Sequence, residues 1–410
     1  MPPISMSADK TPPRWLAVWL AALVALTPFS IDSYLPAIPA MADALGTAVA
    51  RVQHSVSSFL LGFAIGQLLG GPLSDRWGRR LVGTIGLLVY IATSLMVLFA
   101  SHVDHLIILR FLQAIGGGFA TVICAAIVRD LYQGREAAKI ISMISTMMLV
   151  APLIAPVIGS LLLTAAGWQS IFIFLMLYGA AMLVLVRFLL PETVSRFSRA
   201  RRQRTSKSSL VRNYGQVLRN RRALGFLAAQ SCVSGSMFIY ITTAPFVFME
   251  FFEVPASHFP IYFGTCVLGL ICMVQVNIRL LNFFEPRNIL LVGIILQGLG
   301  CGLLLLGTMT GVKEILLWMV PLVIVIACIG ITGPNATACF LEFFPKISGS
   351  ANALYGATIF ITGGLLGGIV NGLHTGTLVP IAGSMLACAT VALLAVVFVA
   401  RAREPIEPPG

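Results

Sequence analysis

The chain has 410 residues, of which 58% are apolar and only 10% are charged, and its formal net charge is +12. Soluble proteins carry about a quarter charged residues, so this composition excludes an ordinary soluble domain and indicates a protein of the lipid bilayer. The positive charge does not indicate a nucleic-acid-binding protein. It is concentrated in short segments, above all 196–222, where aromatic side chains do not alternate with basic ones as base stacking requires.

Twelve apolar runs are each long enough, at roughly 20 residues, to cross about 30 Å of hydrocarbon as a helix. They are 15–39, 50–73, 80–100, 105–128, 138–163, 169–190, 223–249, 258–280, 287–308, 313–338, 347–373 and 378–400. The first run is longer than the core of a signal peptide and lacks a clear small-residue cleavage site, so we expect it to remain as a helix. The sequence therefore predicts an all-α membrane protein with twelve transmembrane helices.

The basic residues predict the orientation of these helices. Arg and Lys lie near both ends of the chain and in the loops that follow even-numbered helices, whereas the other loops hold only Arg51 and Lys313. By the positive-inside rule, both termini are expected in the cytoplasm.

A basic segment divides the chain into two parts of six helices each. The predicted boundaries are a cytoplasmic N-terminus at 1–14, a first half at 15–193, a linker at 194–222, a second half at 223–400 and a cytoplasmic tail at 401–410. The linker is expected to be either mobile or a helix on the anionic inner surface of the membrane.

A polar, basic turn separates the second and third runs, with the sequence Gly71-Pro72-Leu73-Ser74-Asp75-Arg76-Trp77-Gly78-Arg79-Arg80. Its glycines permit two helix ends to approach closely, and a basic loop that only sets orientation is the alternative interpretation. The segment resembles the cytoplasmic loop signature of the major facilitator superfamily. That resemblance implies a proton-coupled or facilitated transporter of twelve helices in two halves.

The same resemblance implies a cytoplasmic latch that holds the two halves together in one of the alternating states. Its expected members are Gly71, Asp75, Arg76, Gly78, Arg79 and Arg80. Arg129 and Asp130, at the inner end of the fourth run, are expected to join this charge network.

Asp32 and Arg110 are the two ionisable residues in the apolar runs that we expect to act within the membrane. An unpaired carboxylate at Asp32 would cost several kcal/mol, which suits this residue to carrying a proton. Alternatively, Pro28, Pro36 and Pro39 break the helix and leave Asp32 in the outer headgroup region as a helix cap. Arg110 is expected at a similar depth, roughly 7 Å below the outer end of the fourth helix. We expect an Asp32–Arg110 pair that opens when the acid is protonated, with snorkelling of the arginine as the alternative.

The fourth and fifth runs carry two further resemblances. Leu109–Gly116 resembles the fourth-helix signature of the superfamily, which implies a role in proton transfer. The fifth run contains Ala151-Pro152-Leu153-Ile154-Ala155-Pro156-Val157-Ile158-Gly159-Ser160. Its prolines bend a helix, and its small residues permit close packing. This segment resembles the antiporter signature of the drug-efflux branch, which implies export, although Ala155 and Ser160 stand where that signature has glycines.

Several shorter segments resemble the bicyclomycin and chloramphenicol resistance group of drug:proton antiporters. They are Asp32–Pro39, Val128–Tyr132, Gly167–Gln169, Pro191–Thr193, Ala244–Phe246 and Gly349–Ala351.

Aromatic, amide and methionine side chains at membrane depth are candidates for an adaptable substrate pocket. They are Tyr34, Gln113, Met147, Tyr240, Phe246, Asn335 and Tyr355. Packing between helices is the alternative interpretation, and for each of these residues taken singly it is the favoured one. Glu342 is expected to be a solvated acid near the inner end of the tenth helix.

The predicted function is proton-coupled export of small, largely apolar drugs, neutral or cationic, across the bacterial inner membrane by alternating access. The proton gradient supplies the energy, no cofactor is expected, and the expected partners are drug, protons and lipid, with the protein as a monomer. An uptake symporter of the same fold is the main alternative.

An enzyme is disfavoured, because the five histidines lie near predicted helix ends and no HExxH, nucleophile elbow or phosphate loop occurs in the sequence. A sensor or channel without coupled transport is also disfavoured. The cysteines fall within apolar runs without CxxC spacing, so they are expected to be small buried residues, not disulfides or metal ligands.

Overall fold

The computed structural model describes residues 14–132, 134–190, 212–311, 314–373 and 375–400. Within these ranges every regular element is a helix, and twelve helical spans are long and apolar enough to cross a membrane. Their helices are α1 Arg14–Asp32, α2 Val49–Trp77, α3 Arg79–Val97, α4 Val103–Leu131, α5 Gly134–Ala166, α6 Gln169–Val184, α7 Arg221–Pro245, α8 Phe259–Leu280, α9 Pro286–Met309, α10 Ile315–Ala327 with Ile329–Leu341, α11 Ser348–Gly372 and α12 Val379–Leu394. The predicted fold class is confirmed.

The first span breaks at Asp32. The chain continues through a single 3-10 turn at Leu35–Ala37 and a short helix at Ile38–Ala44. Proline explains the break, because Pro36 has no N–H to donate to the carbonyl of Asp32, four residues earlier. The alternative interpretation of this segment was therefore right about the break. Asp32 itself is buried, with 3% of its surface exposed, and its placement at headgroup depth stays an alternative.

Three other spans end in a π-helical turn, and one is interrupted. Such turns extend α6 at Leu185–Leu189, α7 at Phe246–Phe251 and α12 at Ala395–Val399. The helix α10 is interrupted at Cys328, where the pattern of backbone hydrogen bonds changes between its two segments.

The loops lie on two faces of the bundle, because consecutive spans run in opposite directions. We call the face that holds the turn between α2 and α3 the basic face, and the opposite one the distal face. The described loops and helix ends of the basic face carry Arg76, Arg79, Arg80, Arg135, Lys139, Arg219, Arg221, Arg222, Arg279, Arg287 and Lys346, together with the acids Asp75, Asp130, Glu136, Glu285 and Glu342. The described distal loops and helix ends carry Arg51 with five acids, Asp43, Asp104, Glu250, Glu253 and Glu314. This is the charge asymmetry that membrane proteins show across the bilayer.

We call α1–α6 the first half and α7–α12 the second half. Glycines bring α2 and α4 into backbone contact, since a Cβ built at Gly66 would lie 2.6 Å from the carbonyl oxygen of Ile115. The halves meet where α2 packs on α11 and where α5 packs on α8. The predicted terminal segments 1–14 and 401–410 lie outside the described residues except for Arg14, and the linker 194–222 is described only from 212, as a short helix at 212–219. Those domain boundaries stay predictions.

Candidate functional site

A central cavity of about 210 Å³ lies between the two halves. Its walls come from α1, α5, α7, α8, α10 and α11, and the lining residues are Thr27, Pro28, Ile31, Asp32, Met148, Leu149, Pro152, Met237, Phe238, Tyr240, Ile241, Phe263, Val267, Leu270, Ile326 and Phe360. Asp32 is the one carboxylate in this lining. A cleft of this kind, apolar with few polar groups, is typical of small-molecule sites.

Asp32 stands at the end of α1 with its side chain turned into the central cavity. The oxygen Oδ1 is buried and has no hydrogen-bond donor among the described residues. A charged carboxylate in such surroundings is costly unless a cation or a donor accompanies it. The site is therefore suited to binding a proton or a positively charged or donor group of a ligand.

Arg110 is fully buried in the core of the first half. Its Nη2 donates a hydrogen bond to the carbonyl oxygen of Ser30 at 2.6 Å, and its Nη1 donates to Oε1 of Gln113. The guanidinium lies between two aromatic rings, with Cζ 4.3 Å from the ring centroids of both Tyr34 and Phe59. Cation–π contacts of this kind stabilise a desolvated cation.

The predicted ion pair between Asp32 and Arg110 is not formed in the described structure. Arg110 instead bonds the carbonyl of Ser30, one of the last four of α1, which a helix leaves without backbone donors. Arginine near a helix C-terminus commonly satisfies such carbonyls. Arg110 thus contacts the backbone two residues before Asp32 and does not contact the Asp32 carboxylate.

Hydroxyl groups near Arg110 tie three helices together, α1, α3 and α4. Ser30 Oγ and the Tyr90 hydroxyl are 2.6 Å apart, and Gln113 Nε2 donates to Ser94 Oγ at 2.6 Å. Nothing in the sequence singled out these serines or Tyr90, because a hydroxyl in an apolar helix often bonds only its own backbone. The one signal in the sequence was Arg110, because a buried guanidinium needs acceptors for its N–H groups.

Tyr34 and Gln113 were predicted to line a substrate pocket, and the structure places them elsewhere. Both contact Arg110, and the Tyr34 hydroxyl lies 3.0 Å from Ser55 Oγ. Neither side chain is part of the central cavity lining. They serve the polar core of the first half, because the chain turns after the end of α1 at Tyr34 and the rotation of α4 directs Gln113 away from the interface.

Of the other predicted pocket residues, Tyr240 lines the central cavity, and its hydroxyl donates to the carbonyl of Phe263 at 3.3 Å. Met147 does not line it, although the next residue, Met148, does. Phe246 is buried, and its ring centroid is 6.3 Å from that of Phe251.

Asn335 and Tyr355 also lie away from the central cavity, inside the second half. Asn335 Nδ2 donates to Asn277 Oδ1 at 2.6 Å, and Tyr355 accepts a hydrogen bond from Thr337 at 3.1 Å. Both residues therefore follow the alternative interpretation, which assigned them to packing between helices.

The antiporter-like segment of α5 packs against the break in α1. A Cβ on Gly159 would overlap the carbonyl of Ser33, the residue that follows Asp32. Ala155 and Pro156 are buried on the same face, and Pro152 lines the central cavity. The glycine permits a contact that no larger residue allows, so α5 and the Asp32 segment are mechanically joined.

The predicted latch residues form a charge network on the basic face. Arg79 lies 2.5 Å from an oxygen of Asp75 and 3.6 Å from one of Asp130, and it also donates to Ser74 Oγ. The turn depends on Gly78, whose φ of +106° is unfavourable for residues with a Cβ.

These ion pairs join α2, α3 and α4, all in the first half, so in this conformation they do not bridge the two halves as predicted. Arg76 is exposed, Arg80 is half-buried, and nothing lies within 4 Å of a Cβ built on Gly71. The side chain of Arg129 lies outside the described part of the chain.

The described residues form twelve candidate membrane spans in two packed halves with a cavity between them, which is an architecture suited to a membrane transporter. The family model of the Major Facilitator Superfamily matches residues 18–368, and the chain belongs to that family. It is a multi-pass membrane protein.

Two curated relatives cover nearly the whole chain. The bicyclomycin resistance protein homolog of Haemophilus influenzae is 30% identical over 385 residues, which are 92% of this chain and 94% of that protein. The chloramphenicol resistance protein of Pseudomonas aeruginosa is 30% identical over 92% of this chain and 90% of that protein. The crystal structure of a D-xylose-proton symporter shares the fold, with a TM-score of 0.74 at 16% identity over 95% of this chain and 98% of that one.

Proposed function

We propose that the protein exports small, largely apolar drugs from the cytoplasm in exchange for protons, by alternating access across the bacterial inner membrane. The observation that carries the proposal is the position of Asp32, a buried carboxylate with an unpaired oxygen in a largely apolar cavity between the halves. The names of the two curated relatives, a bicyclomycin and a chloramphenicol resistance protein, support drugs as the substrate class. The antiporter-like packing of α5 on α1 supports export.

Proton and drug alternate at Asp32 in this proposal. A lone carboxylate in a dry site is too costly to populate, so the acid is protonated or accompanied by ligand. A proton taken up from the more acidic outside favours the conformation in which the cavity opens to the cytoplasm. Drug binding there is linked to proton loss, which makes export downhill.

The basic face is proposed to be cytoplasmic, with both termini on that side, because its loops carry most of the described Arg and Lys residues. Arg110 is proposed to position Asp32 through the Ser30 carbonyl. Its two hydrogen bonds and two ring contacts support that role over a direct ion pair in this conformation.

Transport into everted vesicles from a pump-deficient host tests the proposal, with chemically different antibiotics as probes. An acid-inside gradient should drive drug accumulation, a protonophore should abolish it, and Asp32→Asn should lose it. Asp43→Asn is the matched control, because Asp43 is an exposed acid in the short helix that follows the α1 break. Gradient-driven accumulation of solute in right-side-out vesicles would instead identify an uptake symporter.

A further inference from the structure

The distal half of the seam between α2 and α11 is closed by very close packing. A Cβ built on Gly364 would lie 2.9 Å from the carbonyl oxygen of Ser57, and one built on Gly367 would lie 3.0 Å from Ser57 Oγ. Nearer the middle of the bundle, the ring centroids of Phe63 and Phe360 are 4.8 Å apart. The glycines leave no room for side chains, so the two helices touch backbone to side chain along this seam.

These contacts define an antiparallel register. Phe63 lies opposite Phe360, and Ser57, about two turns farther along α2 toward the distal face, lies opposite Gly367, about two turns farther along α11. One further turn of each helix places Gln53 opposite Asn371. This register brings Gln53 and Asn371, from different halves, to the distal end of the seam.

The polar groups at this end lack partners. Gln53, Ser57 and Asn371 are 1%, 4% and 4% exposed. Gln53 Nε2, Ser57 Oγ and both amide atoms of Asn371 have no hydrogen-bond partner among the described residues. The nearby Thr242 hydroxyl, by contrast, is satisfied by the carbonyl of Ile239 at 3.1 Å. We call Gln53, Ser57 and Asn371 the distal polar cluster.

We infer that the distal polar cluster biases the protein toward opening of its distal face. Buried donors and acceptors without partners disfavour the state that buries them, and separation of α2 from α11 exposes them to water. The glycine contacts close the seam, and the cluster keeps that closure reversible. The inference concerns the equilibrium between conformations and does not depend on which solute or ion is carried.

Spin labels on the distal face report this equilibrium directly. Ser101→Cys and Thr310→Cys place exposed labels on the first and second halves, in a full-length protein whose exposed Cys272 is replaced by Ser. Double electron–electron resonance in nanodiscs then gives the ratio of short to long distances. Asn371→Leu should raise that ratio about tenfold toward the closed seam, and Ser57→Ala should shift it in the same direction.

Ile369→Leu is the matched control, an exposed position on the same helix, and should leave the ratio unchanged. A shift toward long distances would show that the amides clasp the halves together and would overturn the inference. No shift in either variant, or a wild-type protein with only the short distance, would overturn it as well. Ser57→Ala removes a single oxygen atom, so it decides the matter if Asn371→Leu does not fold.

Discussion

Arg110→Lys is the perturbation that most sharply probes how Asp32 is held. Lysine keeps the charge but loses the planar fork that donates to Ser30 and Gln113 and stacks between two rings. One lost charge-assisted hydrogen bond costs about 1.5–3 kcal/mol, and two weakened cation–π contacts cost about 1 kcal/mol each. We expect a loss of roughly 3–5 kcal/mol in the free energy of unfolding.

The assay is a double-mutant cycle on unfolding in mixed micelles, with Arg110→Lys and Asp32→Asn alone and combined. Because Arg110 holds the backbone of Ser30 and not the carboxylate, the interaction energy between the two changes should stay below about 1 kcal/mol. A buried ion pair would give a coupling above about 2 kcal/mol. A coupling of that size would refute the proposal that Arg110 positions Asp32 through the backbone carbonyl of Ser30.

Three further predictions concern the helix contacts and the charge network. Gly159→Leu should separate α5 from the Ser33 carbonyl and abolish drug transport while the protein still inserts, as checked by vesicle flux and membrane fractionation; normal flux would contradict the joined α1–α5 unit. Gly78→Ala should cost about 1–2 kcal/mol in unfolding free energy, because φ there is +106°, whereas Gly71→Ala, inside α2 with open space around its Cβ, should leave stability unchanged or raise it by up to about 1 kcal/mol and serves as its control. Asp75→Asn should insert and fold normally but slow transport greatly, since it removes one carboxylate from Arg79; unchanged turnover would rule out a role in the transport cycle.

The spans and the central acid were accessible from the sequence because they depend on local properties. Apolar length predicts a transmembrane helix wherever the run is long enough, and loop charge separates the two faces. An acid in an apolar run, such as Asp32, stands out because burying its charge in a membrane costs free energy. The break at Asp32 was also foreseeable, since Pro36 removes the donor that would continue the helix.

The composition of the cavity wall was not accessible, because it depends on how each helix is rotated about its axis. Tyr34 is only two residues from Asp32, yet it faces Arg110, while Asp32 faces the cavity. Met147 and Met148 differ by one position, and the second lines the cavity. A helix apolar on all sides gives no periodic signal for its inward face, so the pairing of Arg110 with the Ser30 carbonyl needed the structure.

The central claim is that Asp32 carries the exchanged proton, and drug-induced proton release from purified protein tests it most directly. Weakly buffered wild-type protein near neutral pH should release protons when drug is added, and Asp43→Asn should match it. Asp32→Asn should bind neutral drug yet release no protons. Undiminished release from Asp32→Asn would contradict the claim and direct attention to another acid, such as Asp130 or Glu342.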